Sequence, residues 1–564
     1  MRLVFAFAAV TVSLAAAIPP DERFGRVLEP VPCEADPTQT YALYVPSYYA
    51  SDRPWPVIFC FDAMARGTIP VERLQAAAEK YGYILAGSLK SRNGPWAANA
   101  RAARAMIADV STHFSIDPRR IYTVGMSGGA RVATSLALAG TARGVIACGA
   151  GFPDPVAGPP AQVPFAFFSI VGTEDFNHGE LHRLDDQLED RRAVHRLVEF
   201  NGGHEWAPVA SLTAAVEWLE LQAMRAGVRP KAGDFIATQL QARLAAVPAS
   251  VGADQWRALK SLAADFNGLA DTNPFERQAR ELATHRRVKA DLQAERALAG
   301  RESALLAELG ETARESPRRQ RALAAEIARL ADQPADTAER RMVRRARAGF
   351  VAMAPETAHS LRERAQFEPA ANFLEMADAL RPNQPAILFD LARTYAAGGD
   401  RRSALATLER AAAAGFADAE RATREPAFEA LRDDSRFIKS LAAIRASAAG
   451  PTLALPPMRV STALAAVELR PIYLPHPDTP DRPVSFLRVE GVGANTAAAR
   501  AGIEPGMEVI AIQGIRMRRL AERDLEKIMT LPAGDEIILT VREPVGHGER
   551  EIHLVARPVA PTAR

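Results

Sequence analysis

Cysteine is scarce: only Cys33, Cys60 and Cys148 occur in 564 residues, too few for a disulfide framework. Cys60 and Cys148 sit inside apolar, strand-like runs and read as buried thiols, with a single disulfide left open. Charge of one sign is lacking too. Against 69 Lys and Arg stand 67 Asp and Glu, a net charge of +2, so neither a nucleic-acid footprint nor an acidic tail follows. No His/Cys cluster shows ligand spacing, so nothing in the sequence calls for a metal or a cofactor. The apolar run Leu3–Ala17 is too short to cross a bilayer comfortably, and Pro19-Pro20 follows it.

That run has a recognisable shape. Arg2 precedes it and Ala15-Ala16-Ala17 ends it, which predicts a secretory signal peptide over residues 1–17. The expectation is an exported protein, periplasmic or secreted, with no stable membrane insertion after cleavage. The length predicts three or four domains. A composition of 48% hydrophobic and 24% charged residues suffices for full cores.

The stretch Gly125-Met126-Ser127-Gly128-Gly129 organises the first domain, residues 24–226. It follows the apolar run Ile121–Val124 and precedes a helix-compatible run, so it reads as strand, sharp turn and helix. Such a turn lifts the Ser127 hydroxyl above the sheet edge and puts the Gly128 N–H at a helix N-terminus, where an oxyanion would form. Around it, strands are predicted at 41–46, 57–62, 83–88, 121–126, 144–149, 165–172 and 196–201. Helices are predicted at 71–81, 97–114, 129–139, 182–190 and 209–225. Strand and helix in alternation imply a parallel sheet covered on both faces, with ligands at the carboxyl ends of the strands.

Two further strand ends carry partners for a serine nucleophile. Asp175 lies in Thr173-Glu174-Asp175-Phe176-Asn177-His178, and His204 in Gly202-Gly203-His204-Glu205-Trp206. A neutral serine hydroxyl is a poor nucleophile. His204 would take its proton, and Asp175 would orient the imidazole and stabilise its cation. Glu174 is a rival acid, and His178, His182 and His195 compete with His204.

These residues resemble the α/β-hydrolase superfamily, and especially its exported esterases of feruloyl-esterase-like, polyester-depolymerase-like and dienelactone-hydrolase-like type. Ile116–Tyr122 leading into Gly125–Ala130, the Gly172-x-x-Asp175 turn and Gly203-His204-x-Trp206 carry the likeness. The resemblance implies Ser127 as nucleophile, Asp175 as acid and His204 as base, with the Gly128 N–H as first oxyanion donor. It places the second donor after the 57–62 strand, at Ala63 or Met64, although this chain has Phe61-Asp62-Ala63-Met64 where His-Gly is usual. Only 26 residues separate Cys148 from Asp175, which leaves no room for a lid domain and predicts an open site suited to a bulky or polymeric acyl substrate. Asn93 and Trp96, from the loop 90–96, and Trp206 are candidate substrate contacts.

Residues 230–350 read as paired helices rich in Ala, Leu, Arg and Glu, at 235–246, 256–270, 273–298 and 318–330. From about 351 to 445 a 34-residue period appears, in which Ala370, Leu374 and Ala377 recur as Ala404, Leu408 and Ala411. This resembles tetratricopeptide repeats, with Phe416 where a proline is expected. Its reading is a docking groove or a rigid spacer. After a Pro-rich linker, 446–457, the segment Val492–Gly506 with Ile512-Gln513-Gly514 resembles a bacterial-type PDZ domain over 458–558. Met507 replaces the usual Asp, and no clear carboxylate-binding loop precedes the predicted strand 484–489. Strands are also predicted at 508–512 and 536–541, and helices at 497–502 and 520–529. Such domains capture peptide C-termini by strand addition.

The expected fold class is therefore multidomain: an α/β-hydrolase, an all-α repeat region and a small α+β PDZ domain. The expected function is a serine hydrolase of carboxylic esters, with possible peptide or protein partners at the last two domains. Two readings stay open beside it: a catalytically silent envelope scaffold and a serine peptidase.

Overall fold

Strand β3, Trp55–Asp62, is buried along its whole length. A strand covered on both faces reads as a continuous apolar run, and its side chains alternate between two cores. Val57, Phe59 and Phe61 enter one core; Ile58 and Cys60 enter the other. The chain is described by a computed structural model over residues 24–249, 251–448, 467–473, 484–493, 496–512, 515–517, 536–542 and 549–555. The expected signal peptide, 1–17, and the expected helix 520–529 lie outside the described residues. The chain divides into two compact units, 1–354 and 355–564.

The first unit is built on an eight-stranded sheet ordered β1-β2-β4-β3-β5-β6-β7-β8. Its strands are β1 Val27–Pro32, β2 Thr40–Tyr44, β3, β4 Ile84–Ser88, β5 Ile116–Met126, β6 Gly144–Cys148, β7 Ala166–Gly172 and β8 His195–Phe200. From β4 to β8 every pair is parallel, while β1 and β2 run antiparallel at one edge. Helices α2 (Trp96–His113), α3 (Gly128–Leu138) and α4 (His178–Asp190) cover one face. Helices α1 (Thr68–Tyr81) and α5 (Val209–Arg225) cover the other.

The sequence did not announce β1, because Pro30 and Pro32 lie inside it. Proline cannot donate to a ladder and is tolerated on an edge strand, which is where β1 sits, with its register broken between Leu28 and Val31. All three cysteines are buried and unpaired; burial pushes the Cys148 thiol up to about 12 and that of Cys60 higher still.

Helices α6 (Gly233–Ala245), α7 (Ala253–Phe266), α8 (Asn273–Thr284), α9 (Arg286–Thr312), α10 (Pro317–Ala331) and α11 (Ala338–Glu363) follow. The expected single helix 273–298 is two, split at His285. This region shares a core with the sheet domain: Leu221 and Met224 of α5 pack with Ile236, Leu259, Leu262 and Phe266. Asp265 of α7 accepts from the Trp218 indole at 2.6 Å and pairs with Arg243 at 2.8 Å. The unit boundary falls within α11, at Pro355.

In the second unit, α12 (Phe367–Leu380), α13 (Pro385–Ala397), α14 (Arg401–Ala413), α15 (Ala419–Arg424) and α16 (Ser435–Ala448) pack as successive helices. Phe416, at the expected proline position, is buried and stacks on Phe389 with ring centroids 4.2 Å apart. A second, antiparallel sheet contains β9 (Val467–Tyr473), β10 (Val484–Val492), β11 (Glu508–Ile512), β12 (Ile515–Arg516), β13 (Glu536–Arg542) and β14 (Glu549–Val555). Met507 is buried in its core. Among the described residues, no helix is long and apolar enough to cross a membrane.

A buried charge centre ties α5 to the sheet. Glu220 is fully buried and faces Arg120 of β5, Arg229 and the Tyr83 hydroxyl. Removing one partner of such a group leaves uncompensated charge in a low-dielectric interior. Glu220→Ala is expected to destabilise the first unit by about 3–5 kcal/mol, read as a lowered urea midpoint of tryptophan fluorescence.

Candidate active site

Ser127 caps the N-terminus of α3 with φ 56° and ψ −124°. For a residue with a Cβ this conformation costs about 1–3 kcal/mol and persists only where its surroundings impose it. Here glycine neighbours do so. A Cβ at Gly125 would lie 2.1 Å from the Gly129 carbonyl oxygen, and one at Gly129 would lie 2.3 Å from that of Phe61. Both glycines let α3 start directly on the backbones of β5 and β3. The Ser127 N–H donates to the Cys148 carbonyl at 2.8 Å, which anchors the turn on β6.

The turns after β7 and β8 meet beside Ser127. Thr173 N donates to Phe200 O and Glu174 N to Gly202 O, each at 2.9 Å. A Cβ at Gly172 would lie 2.4 Å from the carbonyl oxygens of Gly202 and Gly203, so this approach also needs glycine. The result is one hydrogen-bonded line. His204 Nε2 lies 2.8 Å from Ser127 Oγ, and His204 Nδ1 lies 2.8 Å from Asp175 Oδ1. Asp175 is buried and also accepts from the Asn177 N–H at 2.8 Å. Phe176 lies against the imidazole, with ring centroids 4.0 Å apart. With Nδ1 donating to Asp175, Nε2 would accept from the Ser127 hydroxyl.

The rivals are directed elsewhere. Glu174 pairs with Arg344 at 3.0 Å and Arg340 at 3.6 Å. His195 faces the Ala193 carbonyl and Asp185. His178 and His182 both face Glu199 of β8.

The register pairs Asp62 with Met126, so the turn after β3 lies beside the Ser127 turn. Met64 is 55% exposed, and its N–H donates to Asp62 Oδ1 at 2.8 Å. Asn93 lies where it was expected to border the site. Its N–H donates to the Ala63 carbonyl at 2.7 Å, and its side-chain oxygen occupies the space that a Cβ on Gly128 would need. A cavity of about 350 Å³ opens beside it, lined by Lys90, Arg92, Asn93 and Arg101 among others. Trp96 is half exposed at the first turn of α2.

Trp206 is a correction. It was expected as a candidate substrate contact, but it is only 6% exposed, and its indole N–H donates to Asp62 Oδ2 at 2.7 Å. Two residues from His204, it is a core residue that ties the histidine turn to the β3 turn. Asp62 was missed altogether, since a fully buried carboxylate cannot be told from a turn residue in sequence. The reading that no cluster has ligand spacing is also corrected. His178 and His182 stand at i and i+4 on α4, and the fold brings Glu199 to them. The His-x-x-x-His spacing was visible; its third member, across a strand, was not.

No protein-family model and no curated protein matches this chain. Among solved structures it is similar to FphF, a fluorophosphonate-binding serine hydrolase of Staphylococcus aureus, at 12% identity and TM-score 0.28, over 34% of this chain and 97% of that one. It is also similar to a Pyrobaculum calidifontis esterase, at 12% identity and TM-score 0.29, over 35% of this chain and 87% of that one. A ferulic acid esterase is matched at 12% identity and TM-score 0.27, over 34% of this chain and 93% of that one. The N-terminal α/β domain resembles hydrolases in fold, and the likeness is one of fold alone.

Burial alone would raise the Asp62 carboxyl, but hydrogen bonds from Arg66 and Trp206 outweigh it and hold the group below the ordinary carboxylate range. A depressed folded-state value stabilises the fold above the unfolded value, about 3.9, and the effect is lost as pH falls through the folded value. Asp62→Ala is expected to cost about 1–3 kcal/mol by orphaning the buried indole N–H. In urea melts, the wild-type advantage over Asp62→Asn should be full at neutral pH and shrink only below about pH 4.

Proposed function

We propose that this chain is a serine hydrolase of carboxylic esters. One observation carries the reading: the continuous line Ser127 Oγ, His204 and Asp175, with both contacts at 2.8 Å. Ser127 Oγ attacks the ester carbonyl as His204 Nε2 takes its proton. The oxyanion that forms is met by the N–H groups of Gly128 and Ala63. Collapse expels the alcohol, which receives the proton from His204. Water then attacks the acyl-enzyme with His204 again as base, and Ser127 is released with the acid product. Asp175 orients the imidazole and stabilises its cation throughout.

The cationic cavity next to Asn93 favours esters that carry a negative charge near the scissile bond. The absence of space for an inserted lid between Cys148 and Asp175 supports a bulky or polymeric substrate. We further propose export through residues 1–17. Residues 351–445 are proposed as tetratricopeptide-like, and residues 458–558 as PDZ-like, both serving to dock peptide or protein partners.

The test is labelling of the full-length mature protein with a fluorophosphonate probe. Wild type is expected to label, Ser127→Ala not at all, and His204→Ala at a rate lower by about 10³-fold or more. On an ester and peptide panel, hydrolysis of esters is expected. Arg92→Ala should raise KM for anionic esters and leave neutral ones unchanged. A folded wild type that neither labels nor turns over any ester would sink the proposal in favour of a silent docking scaffold. Cleavage of peptides alone would make the chain a peptidase.

A further inference from the structure

We infer that His178, His182 and Glu199 form a binding site for a divalent transition cation of the zinc class. Residues at i and i+4 of a helix project from one face, so α4 presents both imidazoles together. Beneath them, Glu199 reaches up from β8. His182 Nε2 lies 2.8 Å from Glu199 Oε1, and His178 Nε2 lies 3.6 Å from Oε2. The two imidazole rings are 4.2 Å apart, and one ligand atom from each of the three residues lies within 4.8 Å of the others. Bonds of about 2.0–2.2 Å in tetrahedral geometry place ligand atoms about 3.3–3.5 Å apart. The side chains therefore stand near their ligating positions already.

A second observation points the same way. His182 Nε2 is buried and makes no hydrogen bond among the described residues, although a carboxylate oxygen is 2.8 Å away. Nε2 and Oε1 are thus held side by side, and a cation bound by both would satisfy the nitrogen. The donor chemistry selects the ion. Two imidazoles and one carboxylate suit zinc and its neighbours, whereas calcium and magnesium favour all-oxygen shells.

The surrounding charges permit a cation. Arg345 faces His178 but is engaged by Glu302 at 2.6 Å and by the Thr173 carbonyl at 2.8 Å. Arg257, near Glu199, is engaged by Glu295. Asp185, one turn further along α4, lies near His182 and pairs with His195. The side chains of His178, His182 and Glu199 are 20%, 33% and 42% exposed, so the ion can enter from solvent and water can complete its shell.

The position gives the ion a consequence. The His178 N–H donates to the Asp175 carbonyl at 2.9 Å, and Phe176, between them in sequence, packs on His204. Glu199 lies on the strand that leads into the His204 turn. A bound cation would clamp the first turn of α4, just past the acid, onto that strand. The site shares no ligand with Ser127, His204 or Asp175, so it stands or falls separately from the ester-hydrolase proposal.

The test uses the full-length protein stripped with a chelator, then titrated with Co²⁺ as a spectroscopic probe and with Zn²⁺ during thermal melts. Wild type and Ser127→Ala are both expected to take up one equivalent of Co²⁺ with visible absorption bands, and to gain a few degrees in melting midpoint at excess Zn²⁺. His182→Asn and Glu199→Gln, checked as folded by circular dichroism, should each bind more than about tenfold more weakly. The double variant should lose both the bands and the shift. Stoichiometric binding retained by the double variant, or no binding by the folded wild type, would overturn the assignment.

Discussion

The close approach of α3 to the sheet is the constraint from which the rest of the site follows. Between Gly129 and the Phe61 carbonyl there is no space for a methyl group. That contact fixes the height of the α3 N-terminus above β3 and β5. Ser127 must then turn with φ 56°, and its strain is held by packing that leaves no alternative path for the chain. A looser helix would relax the turn and lower the hydroxyl toward the sheet. It would also move the Gly128 amide away from the place where negative charge would develop. The price is paid in side chains that these glycines do not have.

A second layer of contacts keeps the three turns in register with one another. Gly172 lets the β7 turn touch the β8 turn, and two backbone hydrogen bonds hold them there. Asp62 reaches across to Trp206 and so binds the histidine turn to the turn after β3. A single buried carboxylate therefore holds Met64's amide, the Arg66 side chain and the Trp206 indole in one geometry. This chain uses a charged acceptor to organise the turn after β3.

Much of this was legible in the sequence, for physical reasons that can be named. Strands β3, β4, β6, β7 and the second half of β5 are largely apolar runs between helical periods, and Ser127, Asp175 and His204 each stand just past a strand end. Short local patterns of this kind survive folding unchanged. Strand β1 was not legible, because two prolines disguise an edge strand whose ladder obligations are light. Trp206 was misread since an aromatic beside a glycine turn looks exposed until its indole acceptor, 144 residues away, is known. The same non-local pairing hid Asp62 and the third member of the His178 and His182 cluster. Local periodicity carries no information about which distant side chain will meet a given one.

The choice between Glu174 and Asp175 is the clearest case of this limit, and it shows what the helices after residue 232 contribute. Two adjacent carboxylates on one turn differ little in sequence, and either could serve an imidazole. What separates them is α11. Arg340 and Arg344 draw Glu174 outward, while Arg345 donates to the Thr173 carbonyl and Gly349 lies close enough that a methyl there would touch Phe176. With Glu174 neutralised on one side of the turn, Asp175 is the carboxylate left to point inward, into a buried position beside Gly149 and His204. The helical region thus braces the turn that holds Glu174 and Asp175, through residues that follow it by some 170 positions.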